Sequence, residues 1–356
     1  MVDLAELINT LLRTGASDLH ITAGTPPLMR LDGRLQPLKG PVLTPNDTRE
    51  LVYGILTSDQ RTRLETDLEI DFSYAVPGAA RFRVNAYFQR GSVAAALRVV
   101  PTVIKPLEEL GLPSSLHQWT TKHRGLVLVT GPTGSGKSTT LASLIDEINE
   151  TRSCHIMTVE DPIEFLHSSK HSMVNQREVG ADTRTFPAAL RSALRQDPDV
   201  IMVGEMRDLE TIQIALTAAE TGHLVFATLH TSDAPQTIDR VIDVFPPFQQ
   251  QQVRVMLANA LEGICCQQLV PTVSGGRVVV CEVLMPTPGV RNLIREGKTH
   301  QIYSAIQTGA QFGMQSLDAS LAALVRTGMI SQKEAGERAS NEEELARLLG
   351  RVRVAS

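Results

Sequence analysis

Apolar residues recur along this chain with two periods, and the changes of period mark its elements. Leu4, Leu7, Ile8, Leu11 and Leu12 follow helical spacing; Asp3 and Glu6 suit a capping box at the start and Gly15 suits the end. Asp18 to Thr22 reads as a strand, and Asp32-Gly33, between two short apolar runs, is a hairpin signal. Thr44-Pro45 starts a helix with a cap and a proline at the first position. Residues 69–74 and 81–100 are strand-like. Residues 1–100 are therefore expected to form an α+β module. Pro101 and Pro106 mark a linker over 101–112. Beyond it, over 113–356, strand and helix patterns alternate: 125–130, 137–149, 154–160, 185–195, 199–204, 208–220 and 223–230. Alternation of this kind implies a largely parallel sheet covered by helices. The tail, about 286–356, is helical and amphipathic.

The alternating part opens on a phosphate-loop pattern. Gly131-Pro-Thr-Gly-Ser-Gly-Lys-Ser138 fits G-x-x-x-x-G-K-[ST] in full. The apolar run Gly125–Thr130 before it reads as a buried strand, and Leu141, Leu144, Ile145 and Ile148 after it as a helix. That order points a helix N-terminus at the phosphate. Gly131, Gly134 and Gly136 let backbone N–H groups turn inward; Pro132, Thr133, Ser135 and Thr139 complete the candidate nucleotide-binding set. Lys137 supplies a point charge for the β- and γ-phosphates, and Ser138 a hydroxyl for Mg²⁺. ATP and Mg²⁺ are the implied cofactors.

Three further strand ends carry chemistry. Val159-Glu-Asp-Pro-Ile-Glu164 places acids at the end of an apolar strand, where they can orient a water; the bland alternative is a turn at Asp161-Pro162. Asp199-Val-Ile-Met-Val-Gly-Glu205 is a Walker B-like strand with Gly204 where many P-loop proteins carry the acid, followed by Glu205; Glu205 paired with Arg207 is the alternative. His230 ends another strand as a candidate γ-phosphate sensor, or as a satisfied strand-end histidine. His223 lies seven residues earlier, roughly 23 Å away along an extended strand, so both cannot touch one phosphate within a subunit. Interface and local structure remain open for His223. Arg191 and Arg195 are four apart on a predicted helix and share a face. A two-residue turn at Arg90-Gly91 sets Arg83 opposite Arg98. Opposed like charges call for an anion between them, or for a carboxylate on each.

Composition narrows the class. The chain has 356 residues, 42% hydrophobic and 21% charged, with a net charge of −5 and 4% aromatics. This argues against a basic, stacking nucleic-acid groove, so no direct nucleic-acid partner is expected. A small-molecule kinase would need an acceptor pocket and a lid, for which no sequence is visible. No apolar run approaches the roughly 18 residues of a membrane-spanning helix, and Met1-Val-Asp-Leu-Ala-Glu6 lacks a basic leader, so a cytoplasmic location is expected. Cys154, Cys265, Cys266 and Cys281 form no C-x-x-C pair and read as small buried hydrophobes.

Together these segments resemble the type IV pilus retraction ATPases of the secretion-ATPase superfamily. The resemblance also covers Gly15–Thr22, Arg81–Ser92, Arg195–Asp208, Ala219–Thr231, Val290–Lys298 and Ile306–Gln315, and runs nearly end to end. It implies a PAS-like α+β N-terminal domain, a RecA-like P-loop ATPase domain of α/β class with a helical C-terminal tail, and a homohexamer. It also implies a place at the inner-membrane base of a pilus machine beside a PilC-like platform protein, with a paralogous retraction ATPase as a further partner. By the same resemblance Glu160 is the general base, Glu205 the acid near Mg²⁺, and His223 and His230 a histidine box. Arg83, Arg98, Arg191 and Arg195 match phosphate-sensing arginines. Val290, Arg291, Asn292, Leu293 and Ile294 match a retraction-linked motif, with Gly289 and Val290 departing from the family's Ala and Ile. On helical spacing Val290, Leu293 and Ile294 form its inner face, leaving Arg291 and Asn292 toward solvent or a partner. An accessory, PilU-like paralogue or another secretion-type ATPase is the alternative reading.

Overall fold

The computed structural model describes residues 3–31, 33–77 and 79–350. Two compact units divide the chain: Met1–Thr102 with Pro162–Leu166, and Val103–Asp161 with His167–Ser356. Residues 103–112, read above as linker, thus belong to the second unit, where Leu107 and Leu112 are buried.

The first unit is a six-stranded antiparallel sheet. Its strands are β1 (Asp18–Ile21), β2 (Leu28–Leu31), β3 (Arg34–Pro37), β4 (Glu69–Val76), β5 (Ala80–Gln89) and β6 (Ser92–Val100), in the order β3-β2-β1-β6-β5-β4. Helices α1 (Leu4–Thr14), α2 (Pro45–Tyr53) and α3 (Ser58–Asp67) complete it. Leu11, Leu19, Phe82, Val84 and Leu97 have no exposed surface and form the centre of its core. The helix stops at Gly15 as expected, in the left-handed region at φ 71°. The cap at Asp3 is simpler than a capping box: its carboxylate accepts from the Ala5 N–H. A complete box forms instead at α2, between Thr44 and Asp47. Asp32 of the expected β2–β3 hairpin lies outside the described residues, but its flanking strands pair antiparallel, with Leu31 opposite Arg34. The turn at Arg90 (φ 49°) and Gly91 (φ 76°) has both central residues left-handed, as a two-residue hairpin requires. Arg83 consequently faces Arg98 across the β5–β6 pair.

The second unit is built on a seven-stranded sheet. Its strands are β7 (Gly125–Thr130), β8 (His155–Glu160), β9 (Met173–Glu178), β10 (Val200–Val203), β11 (Leu224–Leu229), β12 (Leu261–Pro271) and β13 (Arg277–Leu284), in the order β13-β12-β7-β11-β10-β8-β9. All neighbours are parallel except β12 and β13. Every residue of β7, β10 and β11 is buried, which explains why these strands read as continuous apolar runs. Helices α4 (His117–Thr120), α5 (Lys137–Thr151), α6 (Phe186–Ala193), α7 (Leu209–Glu220), α8 (Ala234–Asp243), α9 (Pro247–Ala260) and α10 (Pro288–Arg295) belong to this unit. The tail adds α11 (Ile302–Thr308), α12 (Leu317–Arg326), α13 (Gln332–Arg338) and α14 (Glu342–Leu348), with a smaller core of Val270, Val280, Leu317, Leu321 and their neighbours. The predicted helix over 185–195 ends early, at Ala193. Arg195 N–H bonds back to Ser192 O at 3.0 Å in a tightened turn, so Arg195 lies beyond the helix that carries Arg191.

Among the described residues, no helix is long and apolar enough to cross a membrane. One buried acid does place a pH-dependent load on the second unit. Glu282 of β13 is 2% exposed, and its Oε1 accepts the Ala234 N–H at the start of α8 at 2.8 Å. Burial pushes its pKa from 4.5 up to about 7, against the opposing hydrogen bond from Ala234. The folded chain therefore holds a proton there that the unfolded chain releases, and stability falls as pH rises from about 4.5 to about 7. Glu282→Gln keeps the acceptor oxygen and removes the load. The expected gain at pH 8 is roughly 3 kcal/mol, with little change at pH 4.5; urea unfolding at the two pH values checks it.

Candidate active site

Four parallel strands end at one edge of the second sheet, and each end carries a candidate group. β7 leads into the glycine loop, β11 into His230, β10 into Gly204 and Glu205, and β8 closes on Glu160. Their register sets Thr130 beside Leu229, and Val203 beside both Ala227 and Val159. This is the carboxyl edge where open α/β sheets bind ligands.

The loop is shaped from behind by β12. Gly131 has φ 137°, and a Cβ built on it would lie 2.2 Å from the Gln267 carbonyl oxygen. The Gln267 side chain donates from Nε2 to Ser135 O at 2.8 Å. Lys137 begins α5 and donates from Nζ to Gly131 O at 2.9 Å and Pro132 O at 3.0 Å. Its ammonium is thus held at the loop's own mouth. Ser138 and Thr139 are half-buried in the first turn of α5.

The acids have contrasting surroundings. Glu160 is 6% exposed; Thr158 Oγ1 and Gln176 Nε2 both donate to its Oε1, at 2.7 and 3.0 Å. Glu205 meets Arg207 Nη2 at 2.7 Å and His230 Nε2 at 3.0 Å. Burial works to raise its pKa, but the Arg207 hydrogen bond and the charges of His230 and Arg207 outweigh that and hold the carboxyl below its usual range. Glycine at 204 has a steric reason. A Cβ there would lie 3.2 Å from Val159 O and 3.3 Å from Glu160 Cα, so an acid at 204 would crowd Glu160. The pairing with Arg207 given above as the alternative does form, and Glu205 also faces His230.

Other predicted site residues scatter. His223 is engaged locally, its Nδ1 3.0 Å from Ala218 O at the end of α7. Arg98 Nε donates to Asp18 Oδ1 at 2.8 Å, so a carboxylate already relieves the charge that the sequence reading assigned to an anion. Arg83 is exposed. Arg191 pairs with Glu210 of α7, and Arg195 is exposed. Thr158, Gln176 and Gln267 are site residues that sequence reasoning did not single out. Thr158 shares a strand face with Glu160, two residues on, and that period could have revealed it. Gln176 and Gln267 lie on β9 and β12, which the sequence pattern did not mark as strands.

Comparison with known proteins places the chain. The family model described as type II/IV secretion system protein matches residues 2–336. The chain belongs to that family. It is 53% identical over 342 residues, 96% of this chain and 99% of the relative, to the type IV pilus retraction ATPase PilT of Pseudomonas aeruginosa. It is 42% identical to the type IV pilus ATPase PilU of the same organism, over 97% of this chain and 90% of that relative. Among solved structures, the pilus retraction motor PilT with bound ADP superposes with a TM-score of 0.91 at 51% identity, covering 98% of this chain and all of that one. The α/β class and the division into an N-terminal domain and a P-loop ATPase domain agree with that structure.

The Val290–Ile294 segment departs from expectation in one respect. Val290 and Ile294 are buried and Asn292 is exposed, as the spacing predicts. Arg291, however, does not face solvent. It donates to Ala258 O at 2.6 Å and Asn259 O at 2.9 Å at the end of α9, and to Glu262 Oε1 of β12 at 3.0 Å. Asn292 bonds only along its own helix, to Glu296 at 2.7 Å. The two positions should therefore separate. Arg291→Ala, which removes a charged donor from two part-buried acceptors, is expected to cost about 1–3 kcal/mol, and Asn292→Ala less than about 0.5 kcal/mol, in denaturant unfolding.

Proposed function

We propose that this chain is a motor ATPase that hydrolyses ATP to drive type IV pilus retraction. The observation that carries the reading is the single strand-end edge, where the phosphate loop, Glu160, Glu205 and His230 meet on a chain matched end to end by a retraction motor. The 53% identity to PilT against 42% to PilU favours the primary motor over an accessory paralogue.

In this reading the backbone of Gly131–Gly136 cradles the phosphates of ATP, and Lys137 exchanges its two carbonyl partners for phosphate oxygens. Glu160 takes the proton of the attacking water. His230, set on Glu205, lies where a γ-phosphate is sensed. Mg²⁺ fits the donor set: Ser138 offers a half-buried hydroxyl and Glu205 a carboxylate kept ionised by its neighbours, hard oxygen ligands of the type that ion takes. Bound there, partly through water, it would neutralise charge on the phosphates. Arg83, Arg98, Arg191 and Arg195 serve as phosphate sensors, and Arg98 must first leave Asp18 to do so. His223 supports the end of α7, and the histidine box acts through His230.

Motion on a pilus requires coupled subunits. The working form is therefore a homohexamer, peripheral at the inner membrane and engaging a PilC-like platform protein. Val290–Ile294 then links α9 and β12 to that output.

A positioned base contributes about 10²–10⁴-fold to rate, so Glu160→Gln should lose turnover by at least 100-fold while keeping ADP affinity. Substantial residual hydrolysis would move the base elsewhere, with Glu205 next to test. Specific ATPase activity of the unaltered chain should fall on dilution, as light scattering reports dissociation. Full activity in a monodisperse monomer would exclude the ring.

A further inference from the structure

A carboxylate that must take a proton from one water needs a fixed direction, and a lone strand-end side chain does not have one. Glu160 is fixed by two neutral donors from two strands, both aimed at the same oxygen. Thr158 Oγ1 reaches Oε1 at 2.7 Å from two residues back along β8, on the same strand face. Gln176 Nε2 reaches it at 3.0 Å from the edge strand β9, in register beside Thr158. Thr158 has no exposed surface and Glu160 very little, so water does not compete for these bonds at the Thr158 side. Glu205 has other partners, the Arg207 guanidinium and His230 Nε2.

We propose that Thr158 and Gln176 are positioning residues for the hydrolytic base, holding the Glu160 carboxylate in one orientation through its Oε1. The proposal rests on the reading of Glu160 as that base. Misdirection of a catalytic group by about 1 Å can cost up to 10²-fold in rate, which sets the scale of the effect.

The test uses the full-length chain. Thr158→Val keeps the shape and removes the donor, Thr158→Ser keeps the donor, and Gln176→Leu removes the second donor. Steady-state ATPase assays give kcat and KM, and a fluorescent ADP analogue reports binding. Thr158→Val and Gln176→Leu should lower kcat by about 10- to 100-fold with KM and analogue affinity nearly unchanged, and Thr158→Ser should restore most of the rate. In single-turnover assays, adding Thr158→Val to Glu160→Gln should cost nothing further, since the threonine acts only through the carboxylate. Should Thr158→Val fail to fold, Gln176→Leu on the edge strand carries the same comparison.

The outcomes separate the two claims. An active Glu160→Gln enzyme would remove the base assignment and the proposal with it. An inactive Glu160→Gln enzyme beside normal kcat in both donor variants would keep the base and overturn the proposal. Equal losses of rate and analogue affinity would make the pair merely structural. A higher kcat in Thr158→Val would make the hydroxyl a restraint and would also overturn it.

Discussion

The carbonyl oxygen of Gln267 occupies the space that any side chain on residue 131 would need. From the same residue, the side-chain amide holds the carbonyl of Ser135. One residue of β12 thus grips both limbs of the glycine loop, and the loop's outline is a consequence of how β12 lies beside β7. The register of that pair therefore bears directly on the site: Cys266 stands beside Thr130, and the next residue, Gln267, meets the loop. Glycine at 131 is a condition for β12 to come this close, rather than a source of flexibility.

Next along the edge, two carboxylates are kept apart in character. Glu160 is deep and held by neutral donors; Glu205 is shallower and held by an arginine and a histidine. Environments that differ in this way let two like groups perform different tasks in one site. The division depends on Gly204, since any larger residue there would press on Glu160. A Walker B strand that ends in glycine, with its acid one residue later, is the sequence trace of that packing.

Much of this was legible in the chain. Strands β7, β8, β10 and β11 appear as apolar runs because they are buried on both faces, and the glycine loop declares itself through spacing. The hairpin at Arg90-Gly91 was legible because two left-handed residues need a short, permissive pair. What stayed hidden has physical reasons. Helix α3 buries only Leu64, so no apolar stripe marks it. The edge strand β9 reads Met-Val-Asn-Gln-Arg-Glu, with exposed, half-buried and buried positions mixed, so it carries no clean apolar alternation. Gln176 was invisible with it. Arg291 was misplaced because helical spacing reports a direction from the axis and not a side chain's reach. A long guanidinium can turn back to the carbonyl ends of a neighbouring helix. Of the partners left open for Arg98 the structure has a carboxylate, and Asp18 could not be named in advance because it lies on a strand 80 residues earlier.

Lys137 rests against the carbonyls of Gly131 and Pro132, and this bears on the thermodynamics of occupancy. A lysine loose in solvent would surrender much of its rotamer freedom on meeting a polyphosphate, a loss of up to about 2 kcal/mol. Here the ammonium is already placed against the loop's own carbonyls. In the proposed role, nucleotide association exchanges these carbonyls for phosphate oxygens at a small conformational toll. In that proposed cycle the exchange reverses at product release, and the same carbonyls receive the ammonium again.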